Sequence, residues 1–197
     1  SLRIAAVNAA GRAGFPSEFV LDYNPDLIRM PDPVTVTVPN PGMEETGDRT
    51  ASGEFRAAKW WCQAPNPMGF TDFTLDAKVK HSGAFSLRAT PSRDPKTGIE
   101  YAFVIMTAAM PVNPGRDVVY SIWLRAKDPD TPVDIALHDN AKWGNGVYVE
   151  RVVVGREWKK YELPCRLHNT LTNLYLGFKV WTGTVWADDV EYREVSR

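Results

Sequence analysis

Residues 183–192 read GTVWADDVEY. The stretch alternates as a strand does and sets two carboxylates, Asp188 and Asp189, side by side between Trp186 and Val190. Neighbouring residues on a strand face opposite sides, so only one of the two can enter an interior. A buried charge needs a counter-charge, commonly a hard cation with oxygen ligands. Taken with NPGMEE at residues 40–45, the stretch brackets a β-sandwich whose first and last strands carry acids, and it points to a structural calcium site.

Between these ends, short apolar alternations are separated by Gly, Pro, Asn and Asp, the pattern of an antiparallel sandwich rather than of helices. The clearest strands are expected at 34–38, 85–90, 100–110, 117–126, 133–139, 147–154, 159–164, 174–181 and 184–192. Fifteen prolines and fourteen glycines suit the loops, and no helix longer than a turn or two is expected. Residues 1–33 behave differently: 2–20 alternate, turn at 10–14 and alternate again, and 22–33, with three prolines, read as a linker. The fold class is therefore all-β, an antiparallel sandwich over 34–197 with an N-terminal β-hairpin and linker extension over 1–33.

A chain of 197 residues has room for one all-β domain of about 150 residues with an appendage. The net charge of −1 gives no long-range field favouring nucleic acid or a membrane surface as partner. No apolar run reaches the roughly 18 residues that cross a bilayer, and the first residues do not form a signal peptide, so the expectation is a soluble, mature fragment. The two cysteines, Cys62 and Cys165, form no zinc motif; a single bridge between them and two buried free thiols are both open.

Five segments in order carry a family resemblance: VPNPGMEE from Val38, HSGAFSLRAT from His81, VNPGRDVVYSIWLRAK from Val112, VGREWKKYELP from Val154 and the closing GTVWADDVEY. The series is similar to the carbohydrate-binding modules grouped with families four, nine and twenty-two, jelly-roll domains attached to polysaccharide-degrading enzymes. Residues 2–20 in turn resemble the last two strands of a fibronectin type III domain, or are an ordinary hairpin of this fold. The module resemblance implies two antiparallel sheets, a structural calcium near the module's termini, and a polysaccharide or oligosaccharide bound on the concave sheet or at loop tips. It also implies a secreted parent protein with an upstream catalytic domain. By position, the calcium ligands map to Glu44, Asp188 and backbone oxygens of the turn around Ser82, with Glu45 and Asp189 as alternates. Met43 departs from the family's preferred Phe, which changes packing and leaves the acid in place. The other reading of these acids is as solvated strand-end charges or partners of Arg88.

Sugar recognition uses aromatic faces that stack on a pyranose, flanked by hydrogen-bonding side chains. Alternation over 117–126 buries Tyr120, Ile122 and Leu124 and leaves Ser121, Trp123 and Arg125 on the other face. Over 174–181 it leaves Tyr175, Lys179 and Trp181 opposite the core, and over 133–139 it leaves Asp134, Ala136 and His138. The loop HDNAKWGNGVY sets Trp143 among small and polar residues, which makes it the leading stacking residue, with Tyr148 just beyond. Of the adjacent pair Trp60 and Trp61 only one can leave the core, and Trp60 is counted among the candidates. Trp158 and Trp186 occupy positions that are structural in the family. Each candidate also has a plain reading: Trp143 folding over a sheet edge, Trp123 and Trp181 packing under a loop or against a neighbouring domain. Arg125, Lys179 and Arg151 either mark a preference for acidic or sulfated sugars, since Arg forks match such oxygens, or merely solubilise the strands.

No catalytic motif accompanies these residues: there is no ExDxxE-type strand, GxSxG, HExxH or GxxxxGK. The expectation is a non-catalytic binding module. The runner-up is a sandwich that braces a catalytic domain without binding glycan, and a distant third is a small lyase or hydrolase using His138 and Tyr148 as acid and base.

Overall fold

The computed structural model describes residues 36–63, 72–139 and 146–195. The chain divides into units 1–32 and 33–197, and all described residues belong to the second. The N-terminal hairpin and linker expected over 1–33 lie outside them, as does Trp143.

The described elements are strands only: β1 (Thr46–Arg49), β2 (Phe55–Ala57), β3 (Trp60–Gln63), β4 (Asp72–Asp76), β5 (Ser86–Thr90), β6 (Ser92–Arg93), β7 (Glu100–Met106), β8 (Met110–Pro111), β9 (Asp117–Ala126), β10 (Thr131–Asp139), β11 (Gly146–Val154), β12 (Lys159–Arg166), β13 (Asn173–Val180) and β14 (Val185–Val195). A seven-stranded sheet runs β11-β10-β13-β7-β3, with β6 on β7 and β8 on β13, and a five-stranded sheet runs β12-β9-β14-β5-β4. All pairings are antiparallel, so the all-β sandwich is as expected.

The alternation read in the sequence builds the core. Tyr120, Ile122 and Leu124 of β9 face Ile135, Leu137, Leu174, Leu176 and Phe178 of the other sheet in one buried cluster. The fully buried Tyr120 donates its hydroxyl to the Gly177 carbonyl at 3.2 Å, a polar tie across the sandwich. Three expectations need correction. Val36, Thr37 and Val38 belong to no strand, although Val38 is buried; a Val/Thr alternation raises β propensity but supplies no pairing neighbour. The strand expected over 100–110 ends at Met106, and Met110–Pro111 resumes as a separate short strand along the same partner, β13. The short strands β1, β2, β3 and β4 were not foreseen, because runs of three to five residues carry too little periodicity. Cys62 and Cys165 are free thiols on strands of different sheets, and burial, aided by the charge of Asp117, pushes the Cys165 pKa up to about 11.

Gly177 of β13 lies against β7 with no room for a side chain, since a Cβ there would lie 2.7 Å from the Val104 carbonyl oxygen. That oxygen is backbone and cannot rotate away. Gly177→Ala is expected to lower stability by about 1–3 kcal/mol, the usual cost of overpacking, read as a lower denaturant midpoint. An unchanged midpoint would show that the strands can separate without loss.

Candidate functional site

The register of the larger sheet sorts its outward residues into rows. One row runs Arg151, Asp134, Lys179 and Phe103 across β11, β10, β13 and β7. The next runs Val149, Ala136, Gly177, Ile105 and Trp61, ending on β3. The interior of the second row is Ala136, Gly177 and Ile105, with Ala136 and Ile105 buried, while its ends are Val149 and Trp61, 51% and 46% exposed. Trp181 follows β13 on the same side as Lys179, and Tyr101 lies on β7 two residues from Phe103.

Around Trp181 the outward side chains form a polar and aromatic cluster. The buried Asp134 carboxylate accepts from Arg151 Nε at 2.7 Å and Nη2 at 3.1 Å, and from Trp181 Nε1 at 2.8 Å. That hydrogen bonding raises the Arg151 pKa further and keeps the guanidinium charged. The Lys179 ammonium lies 3.8 Å from the Trp181 ring centroid and 4.1 Å from that of Tyr101, and the Arg151 guanidinium is 5.1 Å from Trp181. These are cation–π distances. Burial lowers the Lys179 pKa, with Arg151 adding to the fall and Asp134 opposing it.

The residues singled out in the sequence scatter over both sheets. Trp181, Tyr175, His138, Lys179 and Arg151 share the outer face of the larger sheet. His138 is buried there, its ring tilted on Phe103 with centroids 4.7 Å apart. Trp123 and Arg125 are on the outer face of the smaller sheet, in register with Asp188 and Trp186. Tyr148 is opposite Leu137, points between the sheets and donates its hydroxyl to the Arg166 carbonyl at 2.6 Å. His138 and Tyr148 are therefore on opposite faces of one sheet and form no acid and base couple. Trp60 is corrected as well: it is 4% exposed in the core and donates Nε1 to the Asn40 carbonyl, so the outward member of the pair is Trp61. Register with Met106 and Ile105 decides this, and two adjacent tryptophans offered no signal for the choice.

The acidic ends do meet. Asp188 is completely buried; its Oδ2 accepts from the His81 and Ser82 amides at 3.0 and 3.1 Å, and its Oδ1 from the Asp189 amide at 2.8 Å. Burial pushes its pKa up to about 6, against the pull of the Ser82 amide and with the charge of Asp189 beside it. A bulge between Asp188 and Glu191, with Asp189 at φ 44°, turns Asp189 toward the same turn, where it meets His81 Nδ1 at 2.6 Å and Ser82 Oγ at 2.9 Å. The His81 ring stacks on Trp123 with centroids 3.8 Å apart. Glu44 accepts from the Ala84 and Phe85 amides at 3.0 and 3.3 Å. Gly83, at φ 54°, leaves the space that Glu44 fills, since a Cβ there would be 2.0 Å from Glu44 Oε1. Carboxylates beside a backbone turn are the donor chemistry of a hard cation. In the geometry found, they accept from N–H and side-chain donors, and among the described residues no group of three or more His, Cys, Asp or Glu converges as a metal cage.

The sequence matches no family profile and no curated protein. Solved structures do match. A CBM4 structure has a TM-score of 0.56 at 11% identity, over 81% of this chain and 100% of that one. TmCBM61, solved in complex with β-1,4-galactotriose, has a TM-score of 0.55 at 12% identity, over 82% of this chain and 100% of that one. The enzymatically active domain of bacteriophage CBA120 tailspike protein 4 has a TM-score of 0.57 at 17% identity, over 81% of this chain. The present chain matches only 21% of that tailspike domain's length. At such identities the likeness speaks for the fold alone, an all-β jelly roll shared with these carbohydrate-binding modules.

Proposed function

We propose that this chain is a non-catalytic module that binds a polysaccharide or oligosaccharide on the outer face of its seven-stranded sheet, within a larger secreted glycan-degrading protein. The observation that carries the reading is Trp61, an indole 46% exposed on the same face as Tyr101, Tyr175 and Trp181. Trp61 and Trp181 are separated by two strand spacings and four residues of rise, about 10 Å by about 13 Å, room for several linked sugar rings. Arg151 and Lys179 supply hydrogen-bond donors beside these aromatic surfaces, the usual division of labour in sugar recognition. Trp123 is less suited to stacking, because His81 of the same chain already covers its ring.

Affinity electrophoresis of the whole chain against a polysaccharide panel tests this. Retardation by at least one glycan is expected, and Trp61→Ala should weaken it about tenfold or more, the scale of a lost aromatic stacking contact. Retardation by no glycan would favour the second reading, an accessory sandwich bracing a catalytic domain. That reading draws on Val149 and Val153, 51% and 60% exposed on β11 at the sheet's edge, which a neighbouring domain would cover. Release of reducing or unsaturated sugar ends would make the chain an enzyme instead.

Calcium belongs to the same proposal. Glu44 and Asp188, with backbone oxygens around Ser82, are the residues that would hold it, and the all-oxygen donor set supports that reading. An ion bound only by the folded state stabilises it by about 2.7 kcal/mol at a hundredfold excess over its dissociation constant, so chelation is expected to lower Tm by several degrees. An identical melting curve with chelator and with added calcium would mean that N–H donors and His81 alone hold these acids.

A further inference from the structure

We propose that the glycan taken by this face carries an anionic group, a carboxylate or a sulfate ester, read by Arg151 and Lys179 around Trp181. The inference rests on the binding reading above and names the chemical class of its ligand.

The row across β11, β10 and β13 places two cations against one carboxylate. Asp134 is consumed within the row: its oxygens take Arg151 Nε, Arg151 Nη2 and Trp181 Nε1. This bidentate grip fixes the guanidinium by one edge, and among the described residues its Nη1 end has no hydrogen-bond partner. The Arg151 side chain is nevertheless 60% exposed, so an oriented donor edge faces solvent. Lys179 forms no ion pair with a described carboxylate; its ammonium rests on the rings of Tyr101 and Trp181. A lysine that served only solubility would extend into water, where an ammonium is best hydrated. Here the charge is drawn onto aromatic surface and partly desolvated, the setting in which an arriving anion gains most from pairing with it. The whole chain carries a net charge of −1, so attraction for a polyanion has to come from this local arrangement and not from a general field.

The test compares polymers that differ only in charge: polygalacturonate against its methyl ester, and a sulfated galactan against its desulfated form. The expected result is a preference of about tenfold for at least one charged member, the scale of a hydrogen bond to a charged group. In Lys179→Gln and in Arg151→Gln that preference should fall toward one, while Arg156→Gln, an exposed cation in the turn after β11, leaves it unchanged. Lys179→Gln removes no ion pair, and a melting curve showing the variant still folded at the assay temperature separates loss of recognition from loss of fold. Whichever pair shows the preference identifies the anion as carboxylate or sulfate. Equal binding of charged and neutral members overturns the inference and leaves the proposed function standing. A preference that survives both substitutions, or falls equally with Arg156→Gln, also overturns it. Failure to bind any of the four polymers or the wider panel overturns both.

Discussion

The fold depends on the docking of its last strand. β14 is the middle strand of the five-stranded sheet, paired with β9 on one side and β5 on the other. The sheet therefore cannot close until the chain's end has returned, a contact between segments distant in sequence and costly in loop entropy. What fastens that end is Asp188, sealed under residues 81–82 and saturated by three amides. The opening segment joins there too: Glu44 grips the far side of the same turn, and the Val190 amide donates to the Pro41 carbonyl at 2.9 Å. Asn40, at φ 47°, holds this loop by bonding Glu45 and Ala58 through its side chain. The buried carboxylate is tolerated because each oxygen has a donor.

This clamp also explains why the two sheets present different outer faces. On the smaller sheet, Trp123 lies under His81 as part of the clamp, and Trp186 donates Nε1 to Asp76 at 2.9 Å, so both indoles are tied to local structure. Among the described residues, no such clamp lies on the larger sheet. Its centre is kept low by Ala136 and Gly177, its rim holds Trp61 and Val149, and its charges are grouped around Trp181.

Legibility followed periodicity. Strand 117–126 was readable to the residue because its inward members Tyr120, Ile122 and Leu124 recur every second position, and they lie in the core as that period dictates. The polar four-residue strand TGDR and the three-residue strand FRA offered nothing to count. Among the site residues, Tyr175, Lys179 and Trp181 were found by the same alternation, whereas Trp61 and the inward turn of Tyr148 were not. Trp60 and Trp61 have identical side chains in adjacent positions, so which of them is outward depends on pairing with Met106 and Ile105. Tyr148 follows a Gly- and Asn-rich stretch of sequence, and its face is set by lying opposite Leu137.

The sequence by itself determined the class of fold and the identity of the acids that close it, because hydrophobic period and adjacent carboxylates are local properties of the chain. Tertiary structure alone decided which tryptophan is available, that His81 covers Trp123, and that Arg151, Asp134, Lys179 and Trp181 form one cluster. The reason is register: a shift of one residue sends every side chain of a strand to the opposite face, and register is fixed by partners far away in the chain.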